Sequence, residues 1–234
     1  MRAILFDKDG TLLDFEATWT PVLRRLALEA AGADPARATA LLDLGGLDPA
    51  TAKFRAGSAI GAGTTRTIVA LWYPCLSGAA LDERVAATDR AFLRHGGSHS
   101  VPIPGAAAAL DALAEAGYVM GVATNDTTAA AKAALAGTGL LRHLPHVIGY
   151  DAVVHAKPAP DMVHAFAEAS GIPPGEIAVV GDNRHDLEMA RSAGAGLVVG
   201  VTSGNSAATD LAPLADVILP SVRELPAWLH QNRK

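Results

Sequence analysis

The pattern of apolar and polar residues divides the chain into parts of different character. A short apolar run of largely branched residues, Ile4 to Phe6, predicts a buried strand. From Glu16 to about Gly97 the apolar positions follow the spacing of amphipathic helices, without a convincing strand. The helices predicted there are Pro21 to Ala31, Pro35 to Leu44, Arg66 to Trp72 and Leu81 to Leu93. This part therefore predicts an all-helical module.

After Ser98 the pattern changes to alternating strands and helices. The predicted strands are Tyr118 to Ala123, His146 to Gly149, Ile177 to Gly181, Leu197 to Val201 and Val217 to Leu219. The predicted helices are Ala106 to Ala116, Thr127 to Leu135, Pro160 to Ser170 and His185 to Ala193. Alternation at this spacing is typical of an α/β protein with a doubly wound parallel sheet.

The first strand has no partner nearby in the sequence, so we expect it to join the later sheet. The helical module is then an insertion that follows this strand. The chain is accordingly predicted to form two domains, an α/β core from residues 1–14 and 99–234 and a helical domain from residues 15–98.

Composition excludes several classes of function. The 234 residues are half hydrophobic and carry a formal net charge of -5, without basic runs, which argues against a nucleic-acid partner. No apolar run approaches the roughly 18 residues of a membrane span, and the start of the chain does not resemble a secretory leader. A cytoplasmic protein without a membrane partner is expected. The single cysteine, Cys75, rules out a disulfide framework, and we expect it to be packed.

Candidate chemistry begins directly after the first strand. Asp7 and Asp9 lie two residues apart and are followed by Gly10, which allows the chain to turn. Ligands of open α/β sheets bind beyond the carboxyl ends of the strands. Two crowded carboxylates need a neutralising cation, and Mg²⁺ with oxygen ligands is the natural choice. A simple polar turn is the alternative, because Asp and Gly are ordinary turn residues.

Three further polar groups follow later strands of the same sheet. Thr124 and Asn125 offer donors for an anion, although they could merely cap the next helix. Lys157 precedes Pro158, which restricts it to extended backbone, so its ammonium could point into a cleft rather than lie on the surface. Asp182 and Asp186 form a second acidic pair, and helix capping explains one acid better than two.

Together, these groups make chemical sense at one sheet edge. Carboxylates would hold Mg²⁺, while the Lys and the Thr would hold phosphate oxygens. At this point the sequence resembles the haloacid dehalogenase (HAD) superfamily, in particular its phosphoglycolate-phosphatase-like branch. The resemblance rests on Asp7-Lys8-Asp9-Gly10-Thr11-Leu12, Thr124-Asn125, Lys157-Pro158 and Gly181-Asp182-x-x-x-Asp186, which match the four family motifs in order.

The resemblance implies a fold and a mechanism. The fold is a Rossmann-like core with a helical (C1-type) cap domain over residues 15–98. Asp7 would be the nucleophile that forms an aspartyl-phosphate, and Asp9 would be the general acid and base. Thr124, Asn125 and Lys157 would bind the phosphoryl group. Mg²⁺ would be held by Asp7, the backbone carbonyl of Asp9 and Asp182, with Asp186 as a further ligand or an indirect support.

The expected activity is hydrolysis of a small phosphorylated metabolite, phosphoglycolate-like or a sugar phosphate, by a monomer or homodimer. Arg55 and Arg66 of the cap are candidates for binding a substrate carboxylate, although solvated surface arginines are the alternative. Asp9 argues against a dehalogenase, which by the resemblance does not keep an acid there. A phosphomutase and a phospho-aspartate signalling switch remain alternatives, and Asp182 with Asp186 argues against the switch.

Overall fold

A parallel sheet organises the part of the chain that the structure, a computed structural model, describes, residues 1–232. Within those residues the sheet has six strands in the order β3-β2-β1-β4-β5-β6. The strands are β1 (Ala3–Phe6), β2 (Val119–Ala123), β3 (His146–Ile148), β4 (Ile177–Gly181), β5 (Leu197–Val201) and β6 (Val217–Leu219). All neighbouring pairs are parallel, so the predicted α/β class with a doubly wound parallel sheet is confirmed.

The first strand lies at the centre of the sheet. Ala3 pairs with Val119 of β2 on one side and with Ile177 of β4 on the other. All four residues of β1 are buried, because helices cover both faces of a parallel sheet. The strand order reverses direction at β1, and this switch point is where open α/β sheets bind ligands.

Five helices follow β1 in the sequence before the next strand, β2. They are α1 (Phe15–Ala30), α2 (Pro35–Gly45), α3 (Ala59–Ala62), α4 (Thr65–Trp72) and α5 (Gly78–His99). The helices after residue 105 are α6 (Ala106–Glu115), α7 (Thr128–Gly137), α8 (Asp161–Ser170), α9 (Arg184–Ala193), α10 (Ala208–Leu211) and α11 (Leu225–Gln231). The apolar pattern does not predict α3, α10 or α11, which are short.

The first helix starts six residues earlier than the apolar pattern predicts. Proline is favoured in the first turn of a helix, which places the predicted start at Pro21. In the structure Pro21 lies inside α1, and Asp14 caps the helix by accepting a 2.9 Å hydrogen bond from the Ala17 N–H. The difference matters because it brings Phe15 and Trp19 onto the helix.

Three clusters of buried apolar residues stabilise the fold. One lies on each face of the sheet, and Ile4 and Leu5 of β1 point into opposite clusters, as the alternation of strand side chains requires. The third cluster lies within helices α1 to α5 and includes Trp19, Phe54 and Phe92. The helical segment thus has an apolar core of its own.

Two further expectations can be compared with this fold. Cys75 is exposed rather than packed, which corrects the sequence-based expectation, because the loop that carries it lies on the surface between α4 and α5. Among the described residues, the helices are all too short or too polar to cross a bilayer.

Candidate active site

The ends of three neighbouring strands bring the predicted polar residues together. Asp7 follows β1, Thr124 follows β2 and Asp182 follows β4. The Asp7 N–H donates to the Val180 carbonyl at 2.8 Å, and the Thr124 N–H donates to Ile148 at 3.0 Å, so each residue continues the ladder of its strand. Their side chains, together with Lys157 and Asp186, line one pocket at the sheet edge.

Lys157 contacts one aspartate of the first motif, Asp7, and one aspartate of the last, Asp186. Its Nζ atom donates to Asp7 Oδ1 at 2.6 Å and to Asp186 Oδ1 at 2.6 Å. The lysine is only 7 % exposed. Burial by itself would lower the pKa of Lys157, but the carboxylates of Asp186 and Asp7 raise it above its usual value. Lys157 is therefore held as a cation beside Asp7.

Three carboxylates lie close together beside Lys157. Asp7, Asp182 and Asp186 each place one carboxylate oxygen within 4.8 Å of the others. Burial, followed by repulsion from Asp186, raises the pKa of Asp7 to about 7 despite the opposing effect of Lys157. Burial and repulsion from Asp7 and Asp186 likewise raise the pKa of Asp182 well above its usual value. One lysine does not neutralise this cluster.

Backbone packing fixes the position of Asp182. Its Oδ2 atom accepts a 3.1 Å hydrogen bond from the Asn205 N–H. A Cβ atom on Gly204 would lie 1.9 Å from this oxygen, and one on Gly10 would lie 2.6 Å from the carboxylate. Gly10 also has φ +83°, a conformation that favours glycine. The two glycines leave room for the carboxylate at the strand ends.

The donor set fits a hard divalent cation such as Mg²⁺. Carboxylate oxygens are its preferred protein ligands, and it usually takes one or two of them together with water and phosphate. Asp7 and Asp182 are the residues that would hold it. Asp186 is already engaged, because its Oδ1 accepts from Lys157 and its Oδ2 accepts from the Asn183 N–H at 3.0 Å as part of the α9 capping box. Asp186 thus supports Lys157 and the start of α9.

The side chain of Asp9 is held away from this cluster by two residues that the sequence analysis did not single out. Trp19 Nε1 donates to Asp9 Oδ1 at 2.6 Å, and Lys8 Nζ lies 2.5 Å from Asp9 Oδ2. Trp19 belongs to α1, so the helical segment contacts the candidate general acid directly. The role of Lys8 could have been predicted from the sequence, because a lysine between two aspartates after a buried strand is close to both carboxylates. The role of Trp19 could not, because the predicted helix began at Pro21 and left Trp19 outside it.

Lys8 is an unusual lysine because it is completely buried. Its Nζ atom lies 3.4 Å from Asp126 Oδ2 and 4.7 Å from the centre of the Trp19 ring. Burial opposes the charge, but Asp9 and Asp126 raise the pKa of Lys8 above its usual value. Burial raises the pKa of Asp126 to about 6, with Lys8 opposing it. Lys8 thus neutralises carboxylates behind the pocket.

The two residues of the second motif differ in how they are engaged. Thr124 is 3 % exposed and its hydroxyl accepts a 3.2 Å hydrogen bond from the Asp126 N–H, which leaves the hydroxyl hydrogen for another acceptor. The Asn125 amide donates to Ala62 O at 2.8 Å, and its Oδ1 accepts from the Lys157 N–H at 3.1 Å. Asn125 therefore positions Lys157 and joins it to α3.

The structure does not bring Arg55 and Arg66 to this pocket. Arg55 pairs with Asp43 at 2.9 Å and Arg66 pairs with Asp82 at 2.5 Å, with about half of each arginine side chain exposed, 50 % and 52 %. Neither residue lines the pocket. Arg55 lies in the loop between α2 and α3 and Arg66 lies on α4, and both side chains face solvent. The geometry therefore favours the alternative of solvated surface arginines.

The pocket has two halves of different polarity. The floor consists of the polar residues that follow the strands, with Asp7, Asp9 and Lys157 among them. The roof consists of apolar side chains from the helical segment: Phe15, Trp19, Leu23, Ile60, Ile68 and Phe92. The pocket therefore lies between the sheet edge and helices α1 to α5.

Known proteins resemble this chain in sequence and in fold. A model of the haloacid dehalogenase-like hydrolase family matches residues 1–194. Over 206 residues the chain is 32 % identical to a phosphoglycolate phosphatase of Rhodospirillum rubrum, covering 85 % of this chain and 78 % of that protein. It is 33 % identical over 207 residues to the probable phosphatase IndB of Dickeya dadantii, covering 86 % and 81 %. The crystal structure of a HAD phosphatase from Thermococcus onnurineus superposes with a TM-score of 0.71, at 23 % identity and full coverage of both chains.

Proposed function

This chain belongs to the haloacid dehalogenase-like hydrolases, and we propose that it is a Mg²⁺-dependent phosphatase that forms an aspartyl-phosphate on Asp7. Phosphatase activity on a small phosphorylated substrate follows from the family and from relatives that are named phosphatases. The catalytic roles, the metal and the intermediate are our proposal. The observation that carries it is the Lys157 ammonium, 2.6 Å from both Asp7 and Asp186 and beside the buried acid Asp182.

In the first step a carboxylate oxygen of Asp7 attacks phosphorus, and the bond from phosphorus to the ester oxygen breaks. Asp9 gives its proton to the leaving oxygen, so the product leaves as a neutral alcohol. The Trp19 N–H holds one Asp9 oxygen, which limits the positions that its carboxyl group can take. Lys157 and the Thr124 hydroxyl are the donors available for the phosphoryl oxygens.

In the second step water attacks phosphorus and the bond to the Asp7 oxygen breaks. Asp9, now a carboxylate, accepts the proton of that water, and Asp7 is regenerated together with inorganic phosphate. A bound Mg²⁺, held by Asp7 and Asp182, would supply positive charge that offsets the phosphate oxygens. Phosphoryl transfer depends mainly on such positioning and charge stabilisation.

We also propose that residues 15–98 form a cap domain over a core of residues 1–14 and 99–234. The apolar cluster of helices α1 to α5 and their position over the pocket support this division. A cap that excludes water would strengthen the electrostatic interactions in the site. A cytoplasmic location and a monomeric or homodimeric state stay predictions from the sequence.

The test is phosphate release from a panel of small phosphomonoesters, with and without Mg²⁺. We expect metal-dependent turnover by the wild type and a loss of at least about a thousandfold in Asp7→Asn, because the nucleophile is removed. Asp9→Asn is expected to lose activity most strongly on alkyl esters. Asp82→Asn is the matched control, because Asp82 is exposed and, within residues 1–232, its ion pair is with Arg66.

The outcomes separate the proposal from its alternatives. Full Mg²⁺-dependent activity in Asp7→Asn contradicts it. Long-lived phosphorylation of Asp7 without turnover indicates a signalling switch. Transfer of phosphate between two positions of a sugar bisphosphate, without net release, indicates a phosphomutase.

A further inference from the structure

The side chains of the roof indicate the kind of substrate, which the family and the named relatives leave open. Phe15, Trp19, Leu23, Ile60, Ile68 and Phe92 offer only carbon atoms and one indole N–H, and that N–H is already bound to Asp9. Thr65 adds a hydroxyl, and the residue is 3 % exposed. The side chains of the roof are thus apolar apart from one hydroxyl, and the backbone of Gly61, Ala62 and Gly63 lines the pocket beside them.

The charge of the site also argues against a negatively charged leaving group. Among pocket-lining residues in the described range 1–232, Lys157 is the only lysine or arginine, and it is paired with Asp7 and Asp186. Lys8 lies behind the pocket and is paired with Asp9 and Asp126. The carboxylates of the floor outnumber these cations. A substrate carboxylate under the roof would be desolvated without a lysine or arginine of the roof to pair with, which is costly.

We propose that the substrate is a phosphate monoester of an apolar, uncharged alcohol, with at most one polar group placed to reach Thr65, rather than phosphoglycolate or a sugar phosphate. The inference rests on the proposed function, because it concerns the leaving-group side of the same site. Burial of the apolar group against aromatic and branched side chains provides the binding energy. A sugar would leave several hydroxyls unpaired against the roof.

The experiment compares esters of primary alcohols that match in shape and differ in polarity. Isobutyl phosphate is paired with phosphoglycolate, and benzyl phosphate is paired with glucose 6-phosphate. We expect kcat/KM to favour the apolar member of each pair by at least about tenfold, since an unpaired buried polar group discriminates at least this strongly. A ratio at or below one in both pairs overturns the inference, while absence of any turnover overturns the proposed function instead.

Binding of non-hydrolysable analogues tests the inference independently of turnover. Isothermal calorimetry with isopentylphosphonate and with 3-phosphonopropionate compares an isopropyl group with a carboxylate at the same position. Tighter binding of isopentylphosphonate supports the inference even if no ester is hydrolysed. Equal or tighter binding of 3-phosphonopropionate overturns it.

Two variants of helix α4 complete the test. Ile68→Arg places a cation in the roof and is expected to lower the preference for isobutyl phosphate over phosphoglycolate by at least about tenfold. Arg66→Ala is the matched control, because Arg66 lies two residues away and pairs with Asp82 on the surface. An Arg66→Ala enzyme with a selectively raised KM for phosphoglycolate would place a carboxylate site at Arg66 and overturn the inference.

Discussion

Replacing Trp19 with phenylalanine removes a single donor from the candidate general acid while keeping an aromatic ring in the roof. The Nε1–H of Trp19 donates to Asp9 Oδ1 at 2.6 Å, and Trp19 is 5 % exposed. A hydrogen bond to a charged group contributes about 1.5–3 kcal/mol. If the bond orients Asp9 for proton transfer, kcat/KM on an alkyl phosphate should fall by about 10- to 100-fold.

The dependence on the leaving group separates positioning from a general disturbance of the fold. 4-Nitrophenolate leaves without needing a proton, so kcat/KM of Trp19→Phe on 4-nitrophenyl phosphate should change by less than about threefold. The alkyl ester, whose leaving oxygen must be protonated, should show the whole loss. Steady-state kinetics with both substrates at saturating Mg²⁺ provides the ratio.

Trp72→Phe is the matched control. Trp72 is also buried and in the helical segment, but its Nε1–H donates to the Leu41 carbonyl at 2.9 Å and it does not line the pocket. We expect Trp72→Phe to lose about 1 kcal/mol of unfolding free energy and to keep the wild-type ratio between the two substrates. An equal loss on both substrates in Trp19→Phe, or no loss on either, refutes a positioning role for Trp19.

Three further predictions concern charge, pH and backbone space. Lys8→Met should lower the free energy of unfolding in urea by about 3–5 kcal/mol, because it leaves the partly buried carboxylates of Asp126 and Asp9, 11 % and 19 % exposed, without their cation. Folding raises the pKa of Asp7 from the usual 3.8 to about 7, so Asp7 binds its proton more tightly in the folded protein. Without metal, the free energy of unfolding should therefore fall as the pH rises from 3.8 toward about 7. Mg²⁺ competes with those protons, so the rise in melting temperature that it causes should be larger at about pH 8 than at about pH 5. Gly10→Ala should lower activity by at least about tenfold, because its Cβ would lie 2.6 Å from the carboxylate of the proposed metal ligand after β4.

Each of these predictions has a control and a contrary result. Lys132→Met removes an exposed lysine and should stay within about 0.5 kcal/mol of the wild type; a similar small change in Lys8→Met contradicts the buried ion pair. An Asp182→Asn protein should lose the Mg²⁺ effect, and its persistence contradicts the metal site. Gly171 has a similar φ of +67°, but a Cβ added there would meet no atom of the described residues within 4 Å, so Gly171→Ala should lose stability and keep activity. Equal activity of the two glycine variants would argue against crowding at Asp182.

Much of the core could be predicted from the sequence, because its signals are local. Buried strands and amphipathic helices differ in period, so the sheet and most helices can be recognised without the structure. Parallel strands end at the same edge, and residues such as Thr124 and Asp182 that follow them must meet there. The family motifs add roles that the pattern alone leaves open.

Features that depend on packing between distant segments could be decided only by the tertiary structure. Lys8 is buried because other segments of the same chain pack around its side chain. Trp19 contacts Asp9 because α1 begins before Pro21. Arg55 and Arg66 are the residue type that a carboxylate site needs, but the loop before α3 directs Arg55 to solvent and helix α4 directs Arg66 there. The sequence by itself determined which groups gather at the sheet edge, since strand direction fixes that. What lies opposite them is set by the orientation of inserted helices against the core, and only the folded chain contains that information.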